Sequence, residues 1–240
     1  MNIELIICII SIASLIRAMT GFGDALFAMP LLLLILPSNM AIPLFALCGG
    51  MTGLILVIVK RKKINLHSTK ILIISSLIGI PIGIFFLKRF DDSVMKIAIG
   101  LLLIFFSIYM MFVKSKIKLT SNISTYFFGL ISGILGGAYN TNGPPIVIYG
   151  RMRGWKKQEY LSTLQAYYLI SSIFIIFSHG VSGMFTSKIL NLYFISIPFS
   201  LFSIAVGIQL NNKVPEKYFN YFINIMISIV GVTLIIQNLF

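Results

Sequence analysis

Charged residues are scarce in this sequence, and acidic residues are the scarcest of them. Only 10% of the 240 residues are charged, and 6 acidic residues stand against 19 lysines and arginines. A soluble globular domain carries about 25% charged residues, so the composition excludes an ordinary soluble domain. With 58% hydrophobic residues and a mean hydropathy of +1.00, the chain has the composition of a protein whose solvent is mostly lipid.

Cysteines and catalytic motifs are also rare. Cys8 and Cys48 lie in apolar segments, where a cysteine behaves as a small hydrophobe, and they imply no disulfide framework. The sequence contains neither HExxH nor GxSxG and no cluster of histidines with carboxylates. It also lacks a nucleotide-binding signature, so ATP-driven transport would need a separate subunit. We therefore expect no enzyme, no cofactor and no metal site.

Long apolar runs are what the sequence has in abundance. A helix needs about 20 residues to cross about 30 Å of hydrocarbon, and six runs are long enough: 40–59, 71–87, 94–113, 160–178, 189–209 and 218–237. Two further stretches, 3–36 and 120–150, exceed one crossing and are interrupted by Gly, Pro and Asn. The sequence thus predicts an all-α polytopic membrane protein. Glu4, and the position of Arg17 after the first apolar run, favour an uncleaved membrane segment over a signal peptide.

The two long stretches stand at the start of two similar halves. The segment from Gly21 to Pro30 resembles the segment from Gly136 to Pro145, with the same spacing between Gly and Pro. Ser68–Leu72 likewise resembles Thr186–Leu190. We expect two repeats, 1–118 and 119–240, in a single membrane domain. Each repeat is expected to have a broken, re-entrant hairpin of two short helices, followed by three transmembrane helices.

The distribution of charge predicts how the halves are oriented. The positive-inside rule places the basic loops at 60–63, 114–118 and 151–157 in the cytoplasm, whereas the acidic loop at 88–92 fits the outside. The hairpin between 114–118 and 151–157 must then enter and leave on the cytoplasmic side, and its counterpart at 3–36 on the outside. We therefore expect inverted-topology repeats in a multi-pass protein of the cell membrane, with both termini outside. Orientation also accounts for the net charge of +13 without a nucleic-acid partner.

The helix breaks are the predicted substrate site. Inverted repeats with broken helices are typical of secondary transporters, in which the breaks of the two halves meet near the midplane of the membrane. Gly21 and Gly23 in the first break, and Gly143 in the second, permit positive φ or a close approach of two backbones. Pro144 and Pro145 suit the first turn of a new helix. A helix that starts after each break offers free N–H donors and a partial positive charge, which favours anions.

Polar side chains near the breaks are candidate ligands of the substrate. Asn140, Thr141, Asn142, Thr20 and Gln165 can each donate a hydrogen bond to a substrate oxygen. Thr20 and Asn142 can equally cap the ends of the broken helices. Gln165 can equally join two helices.

Arg17 is the basic residue that lies deep in an apolar run. An ionisable group inside a membrane is expensive enough to indicate function, and we expect Arg17 to be the fixed cation that binds the substrate. The alternative is an ion pair with Asp24, seven residues further on, and the two roles are compatible in alternating states. Asp24 is the candidate site for a coupling proton or Na⁺, because an intramembrane carboxylate can bind a cation.

The segments RAMTGFGDALFAMP (Arg17–Pro30) and GILGGAYNTNGPP (Gly133–Pro145) resemble those of the sulfite exporter TauE/SafE family, also called the toluenesulfonate uptake permease family. The resemblance covers essentially the whole chain. It implies a permease of the cytoplasmic membrane for sulfite, organosulfonates or related organic anions, with a direction that differs among members. Asp24 stands where many members have a small residue.

The expected function is therefore secondary transport of a small anion, with the lipid bilayer and a coupling H⁺ or Na⁺ as further partners. An anion channel is one alternative, because channels also use half-helices. A scaffold subunit that does not transport is another, because glycine-rich helices also mediate association, including that of a homodimer.

Overall fold

The computed structural model describes residues 2–59, 66–112, 121–155, 157–210 and 216–239, and the regular structure within these ranges is helical throughout. Ten helices follow one another in the described chain: α1 (Ile3–Thr20), α2 (Asp24–Ile35), α3 (Ser38–Val59), α4 (Leu66–Arg89), α5 (Asp92–Phe112), α6 (Asn122–Tyr139), α7 (Gly143–Arg153), α8 (Lys157–Val181), α9 (Ser187–Leu210) and α10 (Glu216–Leu239). The prediction of an all-α protein is confirmed.

Several of these helices are long and apolar enough to cross a membrane. Within the described ranges six helices meet this condition, namely α1, α3, α4, α5, α8 and α9, while α2 and the segment Ser228–Asn238 of α10 are shorter apolar helices. The predicted apolar runs fall within α3, α4, α5, α8, α9 and α10, except for residue 113, which lies outside the described residues. The chain has the helices of a multi-pass membrane protein.

The order of the helices repeats along the chain. A pair of helices separated by a short break is followed by three helices, and the same arrangement then recurs. The starts of α6, α7 and α8 follow those of α1, α2 and α3 at one constant spacing along the sequence, which increases by a few residues at α9 and α10. The increase comes from the greater length of α8, which has 25 residues against 22 in α3, and from the longer connection between α9 and α10.

The hairpins differ from the prediction in two respects. The first helix of each pair is not short, since α1 and α6 have 18 residues each, or about 27 Å at 1.5 Å per residue. In addition, Pro30 lies in the middle of α2, whereas Pro145 lies in the first turn of α7. The Gly–Pro match in the sequence therefore does not mark equivalent positions. The equivalent segments are the two breaks themselves, 21–23 and 140–142.

Helices of one half pack on helices of the other. α4 packs along α6 and α9 packs along α1, so the fourth helix of each half lies against the first helix of the other half. α5 packs against α10, and α3 packs against α8. These contacts bring the two breaks together between the halves.

The contact between α4 and α6 is made largely by backbone. Gly129, Gly133 and Gly137 are spaced four residues apart on α6, and a Cβ atom added at any of them would overlap the backbone of α4 or the Ser75 side chain. Ser76 Oγ lies 2.8 Å from Gly129 O at this interface. Small residues at this spacing permit close packing of membrane helices. The second hairpin is thereby held tightly against α4.

Asp92 joins the starts of two helices. Its Oδ1 accepts a hydrogen bond of 2.6 Å from the backbone N–H of Ser38 at the start of α3. Its Oδ2 lies 2.8 Å from Lys96 Nζ within α5. A carboxylate near helix N-termini satisfies free N–H groups and interacts favourably with the helix dipole.

The orientation of the helices in the membrane was predicted from basic loops, and the structure describes few residues of these loops. The predicted basic loops at 60–63 and 114–118 lie outside the described residues. In the third predicted basic loop, 151–157, Arg153 is in fact the last residue of α7. Its Nε donates a 2.8 Å hydrogen bond to Tyr149 Oη, and its guanidinium carbon lies 5.6 Å from the centroid of that ring. The placement of both termini outside stays a prediction.

Candidate functional site

The first break is built around two glycines with positive φ. Gly21 ends α1 with a φ of 88°, and its N–H donates to Arg17 O at 2.7 Å. Gly23 precedes α2 with a φ of 94°. A Cβ at Gly23 would come no closer than 3.7 Å to Ile16, so the requirement for glycine there is conformational, not steric.

Thr20 stabilises the backbone of this break. Its Oγ1 lies 2.8 Å from Ile16 O and 2.6 Å from Phe22 O, so its single proton can serve only one of the two carbonyls at a time. The Phe22 N–H approaches the same oxygen at 3.4 Å. This geometry is that of a local cap, the alternative role considered for Thr20.

The second break is fixed by backbone hydrogen bonds. Asn140 has a φ of 52°, and its N–H donates to Gly136 O at 2.8 Å. The N–H of Thr141 donates to Leu135 O at 3.2 Å. Such paired bonds close a helix at its C-terminus, and asparagine tolerates the left-handed conformation better than most residues. The end of α6 is therefore well defined.

The side chains of the second break are also engaged. Asn142 Nδ2 donates to Ser171 Oγ on α8 at 2.8 Å, while its backbone carbonyl accepts from Ser132 Oγ on α6. Thr141 Oγ1 donates to Tyr139 O at 3.0 Å. Asn142 thus connects the break to both neighbouring helices. These bonds are not a helix cap, because the second and third residues of α7 are prolines and have no N–H to donate to the Asn142 side chain.

Arg17 is buried and forms the ion pair with Asp24. Its side chain is 4% exposed and that of Asp24 is 13% exposed. Nη1 donates to Asp24 Oδ2 at 3.0 Å and to Gly49 O at 2.9 Å. Nε and Nη2 have no hydrogen-bond partner among the described residues. Unsatisfied donors on a buried cation are costly, so the guanidinium is equipped to bind a further acceptor.

Two glycines of α3 make room for this guanidinium. A Cβ at Gly53 would lie 2.9 Å from Arg17 Nη2, whereas a Cβ at Gly49 would lie 3.9 Å from Nη1. The two positions are four residues apart and so lie on one face of the helix. On the α8 side, the guanidinium carbon of Arg17 is 5.2 Å from the centroid of the Tyr168 ring.

A cavity of about 30 Å³ lies between the two breaks. Its wall is drawn from the first break, the second break, α3 and α8: Arg17, Phe22, Gly23, Asp24, Ala25, Leu26, Phe45, Gly49, Asn140, Thr141, Asn142, Gly143, Pro144, Val147, Tyr168 and Ser172. The volume is close to that of one water molecule in the liquid. The conformation therefore has the candidate site assembled but nearly closed.

Most of the predicted site residues meet at this cavity. Arg17, Gly23, Asp24, Asn140, Thr141, Asn142 and Gly143 line it, whereas Thr20, Gly21 and Gln165 do not. Gln165 Nε2 instead donates to Gly21 O, and its Oε1 has no partner in the described part of the chain. Gln165 thus connects α8 to the first break, in line with its alternative role between helices.

The two helix starts at the cavity are not equivalent. In α2 the first N–H that is bonded within the helix is that of Phe27, at 3.0 Å from Gly23 O. The N–H groups of the three preceding residues have no acceptor within the helix, and these residues, Asp24–Leu26, line the cavity. In α7 the second and third residues are Pro144 and Pro145, which have no N–H. The start of α7 therefore contributes the N–H of Gly143 and the helix dipole, and the start of α2 is the richer source of donors.

The comparison with protein families identifies the chain. The family model described as "Sulfite exporter TauE/SafE" matches residues 6–234. The chain belongs to the sulfite exporter TauE/SafE family. The matched range includes both helix breaks, and the resemblance inferred from them is confirmed. Comparison with curated proteins gave no match, and neither did comparison with solved structures.

Membership in the TauE/SafE family gives the cavity its context. The family is one of membrane transporters, and the apolar helices make this member a multi-pass membrane protein. The cavity also contains residues that the sequence did not single out, above all Gly49 and Tyr168. Gly49 and Gly53 form a GxxxG pattern, but such patterns are typical of helix packing and do not by themselves indicate a buried arginine.

Proposed function

We propose that this protein is a secondary transporter that carries a small anion of the sulfite or organosulfonate class across the cell membrane. Arg17 is the observation that carries the proposal. It is buried at a cavity between two helix breaks, and two of its donor atoms have no partner among the described residues. The family description, which names sulfite export, supports the substrate class.

The electrostatics of the cavity favour an anion. Asp24 neutralises Arg17 at 3.0 Å, and the starts of α2 and α7 add partial positive charge. An oxyanion can accept hydrogen bonds from Arg17 and from the first N–H groups of α2. Asn140 Nδ2 is a further donor on the same side of Gly49 as Arg17. A Cβ at Gly49 would lie 3.9 Å from Asn140 Nδ2 and 3.9 Å from Arg17 Nη1.

Asp24 is the proposed site of the coupling ion. In the empty protein the carboxylate neutralises Arg17, but in the loaded protein the substrate provides that negative charge. Two anions against one guanidinium would leave excess negative charge at a buried site, which is unfavourable. A proton or Na⁺ on Asp24 removes this excess, so that substrate and cation travel together.

We infer that the repeats 1–118 and 119–240 are inverted, with the breaks near the midplane and both termini outside. Two observations support this arrangement. The spacing along the sequence is the same from α1 to α6, from α2 to α7 and from α3 to α8, and the packing is reciprocal, with α4 on α6 and α9 on α1. Inverted repeats of this kind expose a central site to one side of the membrane at a time.

The test is uptake of sulfite, methanesulfonate and acetate into proteoliposomes. Wild type is compared with Arg17→Ala and with Arg89→Ala, a matched control that removes an exposed arginine at the end of α4. We expect saturable uptake and counterflow in wild type and Arg89→Ala, and loss of both in Arg17→Ala at unchanged folding. Flux without saturation or counterflow would favour a channel. Absence of both flux and ligand-dependent stabilisation in the wild type would favour a scaffold.

A further inference from the structure

Two neighbouring tyrosines of α8 differ in how their hydroxyl groups are satisfied. Tyr167 is 0% exposed and Tyr168 is 5% exposed. Tyr167 Oη lies 2.6 Å from Ser76 Oγ and donates to Ser132 Oγ at 2.8 Å. Tyr168 Oη has no hydrogen-bond partner among the described residues. A buried hydroxyl without a partner is destabilising, so this one requires an explanation.

The position of Tyr168 provides that explanation. Its side chain lines the cavity between the breaks. The ring lies under the guanidinium of Arg17, at 5.2 Å from the Cζ atom. The hydroxyl lies beside the start of α7, because a Cβ at Gly143 would be 3.0 Å from Oη. The residue with the unsatisfied hydroxyl and the buried arginine therefore line one cavity and contact each other there.

Glycine at position 143 is part of this arrangement. A contact of 3.0 Å between Oη and a Cβ is tighter than most real contacts of that kind. A side chain at 143 would displace the hydroxyl or obstruct the space beside it. The absence of a side chain at 143 thus leaves room beside the tyrosine hydroxyl.

We propose that Tyr168 is a substrate-binding residue, whose hydroxyl donates a hydrogen bond to an oxygen of the transported anion. The inference rests on the proposed function and names a binding residue for it. Hydrogen bonds to an ionised acceptor are shorter and stronger than neutral ones. An oxyanion has several acceptor oxygens, so one can accept from Arg17 while another accepts from Tyr168. The ligand then satisfies groups that the protein leaves without partners.

The test compares Tyr168→Phe with Tyr167→Phe, a matched control on the next residue. Each change removes one hydroxyl and keeps the ring, and Tyr168→Phe also keeps the ring under Arg17. Binding of sulfite and methanesulfonate to purified protein is titrated at constant ionic strength, with chloride as the reference salt. We expect Tyr168→Phe to raise Kd by about tenfold or more and Tyr167→Phe to leave Kd within about twofold.

Thermal unfolding without ligand provides an independent readout. Tyr168→Phe removes an unsatisfied group and is expected to leave Tm unchanged or higher, whereas Tyr167→Phe loses two hydrogen bonds and lowers Tm. Wild-type affinity in Tyr168→Phe would overturn the inference while leaving the proposed function intact. A drop in Tm as large as that of Tyr167→Phe would also overturn it, because it would reveal a partner within the protein. Absence of both binding and flux in the wild type would overturn the proposed function together with the inference.

Discussion

The guanidinium of Arg17 occupies the space that a side chain at Gly53 would need. Arg17 Nη2 lies 2.9 Å from the position of a Cβ at Gly53, and both residues are buried. The placement of the cation thus depends on the absence of a side chain one turn beyond Gly49. This relationship permits a test of Arg17 that leaves Arg17 itself unchanged.

Gly53→Ala is expected to abolish or strongly reduce anion uptake without unfolding the protein. The guanidinium is the end of a flexible side chain and can move away, and alanine is favoured over glycine within a helix by about 1 kcal/mol. Uptake and Tm are measured in parallel. Gly180→Ala is the control, because a Cβ there meets only ordinary contacts at 3.6 Å and beyond and Gly180 does not line the cavity. Normal uptake by Gly53→Ala would show that the position of the guanidinium is not critical.

Asp24→Asn is expected to uncouple transport from its driving ion. The amide cannot be titrated, so uptake of sulfite should lose its dependence on an imposed pH gradient, or on a Na⁺ gradient where that ion is used. Counterflow needs no driving gradient and should persist. The control is Asp91→Asn, which changes an exposed carboxylate in the loop before α5. Uptake by Asp24→Asn that remained fully dependent on the gradient would remove Asp24 as the coupling site.

Gly133→Ala is expected to destabilise the protein, because the added methyl group would overlap the backbone of Ser76 on α4. Overpacking a tight core contact costs about 1–3 kcal/mol, which should lower Tm in detergent by several degrees. Gly180→Ala serves as the control, since a Cβ there would come no closer than 3.6 Å to Phe185. Equal Tm values for the two variants would mean that α4 and α6 can separate at little cost.

The breaks were predictable because their signals are local. Gly21, Gly23 and Asn140 belong to the residue types that adopt positive φ, and they interrupt apolar runs. The pairing of Arg17 with Asp24 also followed from their spacing, even though the helix does not continue between them.

The rest of the site was not predictable, because it depends on contacts between distant segments. Tyr168 resembles any aromatic residue of an apolar helix until its hydroxyl is seen beside Gly143. The sequence indicates Gln165 as a hydrogen-bond donor, but the contact of Gln165 with Gly21 O depends on the passage of α8 beside the first break. The role of Gly53 likewise requires the position of the Arg17 side chain.

The small size of the cavity affects what a binding experiment measures. Sulfite has four heavy atoms, whereas a space of about 30 Å³ suits a single water molecule. An anion that binds here would need a wider conformation, and wherever that conformation is the minor one, the apparent affinity is the intrinsic affinity reduced by the fraction of molecules in it. A substitution far from the cavity can thus tighten binding simply by making the wider conformation more common, and a weak Kd does not by itself indicate a poor fit between anion and site.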